Sequence, residues 1–200
     1  MKRLGVLLSG RGSNFIAIAD NIEQGRLKGC EIAVVISNKA DAPGLGAARE
    51  RGLKALAIEA RGRKRAEHDA EIIVTLREHQ VDLVILAGYM RLLSPEFVRA
   101  FPQRILNIHP SLLPAFPGLD AQEQAFIYGV QVAGCTVHFV DEELDHGVIV
   151  LQKTVAVLES DDAHALAERI LEQEHIAYSE AIGRVLSGEY RIVGRRYIRD

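Results

Sequence analysis

Through the first half of the chain, short runs that are apolar on both faces alternate with segments whose apolar residues recur at helical spacing. This alternation restricts the fold more than any other feature. Residues 4–9, 32–37, 53–58, 83–87 and 104–108 read as strands. Between them, 13–27 carries Phe15, Ile16, Ile18, Ala19 and Ile22 at helical intervals and runs toward Gly29 as a C-cap. Residues 43–51 form a helix that opens on Pro43 and is followed by Gly52. Residues 63–79 form another, with Ile72, Ile73 and Leu76 on one face. Strands without a polar face need cover on both sides, and helical crossovers make neighbouring strands parallel. The expected fold is α/β: a doubly wound, mostly parallel sheet with helices on both faces.

Further along, 134–140 and 148–158 are successive strands joined by the acidic loop 141–147, which implies an antiparallel addition near the C-terminus. Residues 161–186 form a long helix with Asp161 or Asp162 as N-cap. A short strand or hairpin follows at 190–198. No linker, repeat or low-complexity stretch interrupts the 200 residues, so the chain reads as one domain over 1–200. Its two halves are a Rossmann-like, phosphate-binding part over 1–110 and a part over 111–200 that carries the long helix.

Composition narrows the function classes. With 48% apolar and 26% charged residues the chain is an ordinary soluble globular protein, long enough to bury a core without a staple. A formal net charge of -3 argues against a nucleic-acid partner, which phosphate contacts would make basic. Cys30 and Cys135 stand in apolar runs and read as buried thiols in a reducing compartment, with no zinc spacing. The start, Lys2 and Arg3 followed by a short apolar stretch, does not make a signal peptide. No run approaches the roughly 20 apolar residues of a membrane span. A cytoplasmic protein is expected.

Two stretches carry chemistry. Ser9-Gly10-Arg11-Gly12-Ser13-Asn14 joins the first strand to the first helix, where glycines allow close approach and free N–H groups attract an anion. Phe15 stands where a dinucleotide fingerprint has its third glycine, and Ser37-Asn38-Lys39 offers no carboxylate to a ribose. A single phosphate therefore fits better than a dinucleotide; a plain tight turn with Ser13 as N-cap is the alternative. The second stretch is Ile105-Leu106-Asn107-Ile108-His109-Pro110-Ser111-Leu112-Leu113-Pro114. Asn107 and His109 are two apart on a strand and share a face at its carboxyl end, where α/β sheets bind ligands. Asn can donate to a developing oxyanion, and His suits proton transfer near neutrality. Asp145, in the acidic loop, is a candidate to orient His109. With no nucleophile elbow, this set suggests direct attack by a substrate group on a carbonyl.

These segments, with Ala87-Gly88-Tyr89-Met90-Arg91-Leu92-Leu93-Ser94, Pro117-Gly118, Val137-His138-Phe139-Val140 and Glu143-Leu144-Asp145 in that order, resemble the folate-dependent formyltransferase family. The Gly-Ser-Asn loop narrows the likeness to its phosphoribosylglycinamide formyltransferase branch. The resemblance runs from the first strand to Glu174. It implies that Gly12, Ser13 and Asn14 hold a substrate phosphate and that Glu174 meets the glycinamide or ribose end. It implies that Asn107 and His109 stabilise a tetrahedral intermediate, with Asp145 favouring the charged form of His109. Arg65 would meet the folate tail. Met90, Arg91, Leu92 and Leu93, together with Asn107, Val140, Asp141, Glu142, Glu143, Leu144 and Asp145, would line the folate pocket. The implied co-substrate is 10-formyltetrahydrofolate and the acceptor is glycinamide ribonucleotide. No metal, nucleic acid or membrane is implied, and the choice between monomer and homodimer stays open. Two places depart from the pattern: His146-Gly147-Val148, where a small residue, Gly and Pro are common, and Asp120-Ala121-Gln122, which lacks a histidine.

Three rivals differ in ways the chain bears on. A formyltetrahydrofolate hydrolase would carry an N-terminal regulatory domain, whereas this chain opens on its first strand. A methionyl-tRNA formyltransferase would need a further domain and basic surface. A non-enzymatic phosphosugar-binding module would keep the phosphate loop but leave Asn107, His109 and Asp145 without a common purpose.

Overall fold

Apolar runs become strands where the sequence places them, though the one expected over 53–58 shrinks to Ala55–Ala57 and is not buried, in a computed structural model that describes residues 1–199. Contacts cluster into two units, Met1–Leu106 and Asn107–Asp200.

The first unit contains β1 (Lys2–Leu8), α1 (Ser13–Glu23), β2 (Cys30–Ser37), α2 (Pro43–Glu50), β3 (Ala55–Ala57), α3 (Arg65–Glu78), β4 (Leu83–Leu86) and α4 (Pro95–Ala100). Its strands lie in the order β3-β2-β1-β4, with β1 parallel to β2 and β4, and β2 parallel to β3. Leu4, Val6, Leu7 and Leu8 of β1 are fully buried, as expected for a central strand covered on both sides. Gly5 lets α3 settle closely on that strand: a Cβ there would come 2.5 Å from Leu76 Cδ2. The strand order reverses beside β1, so the carboxyl ends of β1 and β4 flank the switch point where such sheets bind ligands.

α1 ends at Glu23, short of the expected 27 and of Gly29. The Asn21 carbonyl accepts from the backbone of both Arg26 and Leu27, turning the chain so that Leu27 is buried by a loop rather than by a helix face. α4 was not foreseen, although its start is marked: Ser94 accepts from the Phe97 N–H at 3.3 Å and Pro95 follows.

The second unit contains most of β5 (Ile105–His109), then α5 (Ala121–Tyr128), β6 (Val132–Phe139), β7 (Ile149–Ala156), α6 (Ala163–Ser187), β8 (Tyr190–Val193) and β9 (Arg196–Arg199). Its strands lie in the order β5-β6-β7-β9-β8. β6 and β7 are antiparallel, as the acidic loop between them implied, and β8–β9 is an antiparallel hairpin. The fold is thus a mostly parallel, mixed α/β arrangement with antiparallel strands toward the C-terminus. α6 packs on β6 and β7 through Leu166, Ile170, Ala177, Tyr178, Ala181 and Ile182, all fully buried. Asp162 caps it, accepting from the Ala165 N–H at 2.7 Å. Asp161 instead makes two 2.7 Å bonds to Arg169, which hold its carboxyl down at about 2. Cys135 on β6 is fully buried, and burial pushes its thiol up to about 12. Cys30 is 3% exposed and is likewise raised by burial. Among the described residues, no helix is long and apolar enough to cross a membrane.

Candidate active site

In the first unit, the glycine loop after β1 borders an open cleft of about 310 Å³. Gly12 sits at the N-cap of α1 with φ 73°, a left-handed conformation open to glycine, and no side chain caps the helix. The alternative of a turn capped by Ser13 is therefore not what forms. The N-terminal end of α1 borders the cleft, which Ser13 and Asn14 line. Gly44 packs under the loop, its N–H bonding the Gly10 carbonyl at 3.0 Å. Lys39, at the end of β2, lines the same cleft and adds a cation that sequence reasoning passed over. Its position after a strand in the same β-α layer was the available signal.

The segment after β4 closes the other side of this cleft. Ser9 Oγ donates to Asn38 Oδ1 at 2.6 Å and accepts the Met90 N–H at 2.8 Å, so one hydroxyl ties β1, β2 and the Met90 segment together. The far end of the segment is fixed by Asp69, a buried carboxylate on α3 that accepts the Ser94 N–H at 2.6 Å. Held at both ends, the segment presents Met90 and Leu92 to solvent, at 67% and 53% exposure. Arg91 and Leu93 are half-buried beside them, and Arg65 is exposed at the start of α3.

The second unit gathers Asn107, His109 and Asp145 into one cluster and adds His138, whose part was not foreseen. His109 is 5% exposed. Its Nε2 lies 2.8 Å from the Phe116 carbonyl, which can only accept, so that nitrogen carries a hydrogen. Its Nδ1 lies 3.4 Å from Asp145 Oδ2. The same oxygen accepts the Gly118 N–H at 2.8 Å, which pins the carboxylate. Asp145 has φ 50°, left-handed backbone that aspartate tolerates better than most residues. Asn107 Nδ2 lies 3.2 Å from His138 Nε2. His138 Nδ1 lies 2.8 Å from the Phe139 carbonyl and so donates, which leaves Nε2 to accept from Asn107. His138 therefore orients the Asn107 amide.

The loop leaving β5 is rigidly anchored. Thr136 Oγ1 donates to the Ser111 carbonyl at 2.7 Å and accepts the Leu113 N–H at 3.0 Å. Gln152 Nε2 reaches the Leu113 carbonyl at 2.9 Å. Ser111 Oγ donates to the Ala115 and Phe116 carbonyls at 2.6 and 3.2 Å, so it is not offered to His109 as a nucleophile. Val140 and Asp141 to Asp145 form the loop beyond β6; Leu144 is 57% exposed there and Glu142 and Glu143 face solvent. Glu174 is 6% exposed on the inward face of α6, close enough to Cys135 to raise its thiol.

Burial pushes the His138 ring below the ordinary histidine value, with the Phe139 carbonyl and Asp145 opposing the shift. The His175 ring on α6 is lowered by burial too. The sign follows: below about pH 6.5 the unfolded chain binds protons that these folded rings refuse, so stability falls with pH until the folded rings also titrate. Melting temperature should drop between about pH 7.5 and 5.5, and the drop should shrink in His138→Gln. An unchanged slope in that variant would remove His138 from the account.

The formyl transferase family profile matches residues 2–182. The crystal structure of glycinamide ribonucleotide transformylase 1 from Symbiobacterium toebii is 52% identical with a TM-score of 0.96, covering 100% of this chain and 94% of that one. That of phosphoribosylglycinamide formyltransferase from Anaplasma phagocytophilum is 43% identical with a TM-score of 0.91, over 99% and 94% of the two chains. The human trifunctional purine biosynthetic protein adenosine-3 is 44% identical over 191 residues, which is 95% of this chain and 19% of the relative. A Drosophila melanogaster protein of the same name is matched over 14% of its length, so the chain spans a small part of these long relatives. On sequence and fold together, the chain belongs to the formyl transferase family.

Proposed function

We propose that the chain moves the formyl group of 10-formyltetrahydrofolate onto the amine of N1-(5-phosphoribosyl)glycinamide, a step of purine biosynthesis, as a cytoplasmic enzyme acting on two small molecules. The observation that carries this reading is the cluster of Asn107, His109, His138 and Asp145, with Ser111 occupied elsewhere. Such a set has donors for an oxyanion and a path for a proton but no protein nucleophile, which fits direct attack on the formyl carbon by the substrate amine.

In this mechanism the Asn107 amide, oriented by His138, donates to the formyl oxygen as it gains charge. His109, with its Nδ1 side facing Asp145, passes a proton to the departing folate nitrogen while the carbon–nitrogen bond to the carrier breaks. The Nε2 hydrogen now rests on the Phe116 carbonyl, so delivery requires exchanging that acceptor for the leaving nitrogen. The attacking amine gives its surplus proton back to the His109 ring that has just donated one, so formyl transfer balances without an oxidant or reductant. Gly12, Ser13, Asn14 and Lys39 hold the ribose phosphate, and Glu174 meets the glycinamide or ribose end. Arg65 and the segments Met90 to Leu93 and Val140 to Asp145 take the folate; exposed Met90, Leu92 and Leu144 suit the apolar faces of its flat rings. In this reading 1–110 is the phosphate half and 111–200 the folate half of one domain.

An absorbance assay of folate release tests the reading. Release from 10-formyltetrahydrofolate that depends on glycinamide ribonucleotide is the expected outcome. Equal release without the ribonucleotide would replace the amine by water and make the protein a hydrolase. No release would leave a binding module or another acceptor.

A further inference from the structure

A part of the chain remote in sequence is fastened to the loop that carries Asp145. Arg195, at the turn of the β8–β9 hairpin, donates to the His146 carbonyl and reaches the His146 ring, with Nε2 at 2.9 Å. The ring's Nδ1 lies 2.9 Å from Asp141 Oδ2, with Glu143 Oε2 at 4.0 Å. The same guanidinium nitrogen is 3.3 Å from Nδ1, so it lies across the ring instead of on one lone pair, while Nδ1 donates to Asp141. The loop tip is therefore bridged from carboxylate through imidazole to guanidinium.

The rest of the hairpin grips both feet of the same loop. Tyr190 stacks with Phe139, the last residue of β6, at 6.2 Å between ring centroids, and with Tyr197 at 4.7 Å. Arg196 pairs with Ile149, the first residue of β7. Tyr197 Oη donates to the Arg184 carbonyl on α6 at 3.2 Å, which anchors the hairpin in turn. Asp145 stands immediately before His146 in left-handed backbone, so any drift of the His146 peptide re-aims the carboxylate. On one side that carboxylate is held by the Gly118 N–H; on the other the backbone is held by Arg195.

We propose that Arg195 is a positioning residue, which acts through His146 to keep Asp145 directed at His109. Its effect on rate rests on the formyl-transfer reading above. The latch lies at the surface, where a charged contact alone stabilises little, but small misplacements of a reacting group are amplified in rate. Arg195→Ala should lower kcat about fivefold and leave KM for the ribonucleotide unchanged. Arg195→Lys restores charge but lacks the planar fork that spans ring and carbonyl, and should recover only part of the rate. In an Asp145→Asn background, Arg195→Ala should cost nothing further, because its route to the reaction is already cut. Equal losses in both backgrounds, or full activity in Arg195→Ala, would overturn the proposal. A substrate-free measurement separates it from the functional reading: the His109 ring signals in NMR spectra should move in Arg195→Ala and in His146→Gln. Silent wild-type protein in the formyl assay would sink the reaction, while unmoved His109 signals would sink the latch.

Discussion

His109→Asn is expected to fold like the parent and to turn over about a thousandfold more slowly. Asparagine keeps a polar group near the place of Nδ1 and removes Nε2, the nitrogen that holds the transferable hydrogen. The Phe116 carbonyl is not orphaned by the change, because Ser111 Oγ still donates to it at 3.2 Å. Loss of stability should therefore stay near about 1 kcal/mol, the ordinary worth of one hydrogen bond. Melting curves alongside the folate-release assay separate the two effects. Near-normal turnover would move the acid role away from His109, with His138 as the next group to test.

The second large effect comes from a glycine. A Cβ on Gly147 would lie 1.7 Å from the Phe139 carbonyl oxygen and 2.7 Å from its carbon. Both are backbone atoms, so no side chain can swing aside, and the acidic loop must part from the end of β6. Gly147→Ala should destabilise by about 3 kcal/mol and lower turnover about a hundredfold, since Asp145 is two residues away. Gly46→Ala makes the matched control: nothing lies within 4 Å of its Cβ, and it sits inside α2. There alanine should stabilise by about 0.5–1 kcal/mol. Chemical denaturation of both variants reads the contrast; equal effects would mean that the Phe139 contact does not govern the loop.

The elements legible in the sequence were those whose burial is continuous. β4 is an apolar run buried throughout, β1 is buried from Leu4 and β2 from Val34, and 161–186 shows a helical face because α6 packs one side on β6 and β7. α5 was not legible because its pattern is inverted: small Ala121 and Ala125 point inward, while Ile127 and Tyr128 are 75% and 79% exposed. Its N-cap, Asp120, is left-handed and offers no side-chain cap to read. Asn107, His109 and Asp145 were named from motif and spacing, and they do cluster. His138 escaped because, within the run Val137-His138-Phe139, it looks like one more strand residue. Only the contact with Asn107 reveals what its ring does. Lys39 and the Gly118 N–H escaped for a similar reason, since each acts through a position in space that no local pattern encodes.

The two cysteines give the molecule a property unrelated to catalysis. With Cys135 sealed in β6 and its thiol near 12, only a vanishing fraction is ionised at neutral pH, and no reagent can reach it without opening the strand. Cys30 is nearly as enclosed. Thiol labelling of the native protein therefore counts excursions to open states instead of surface collisions. The chain comes with its own unfolding clock, read by the rate at which an added sulfhydryl reagent is consumed.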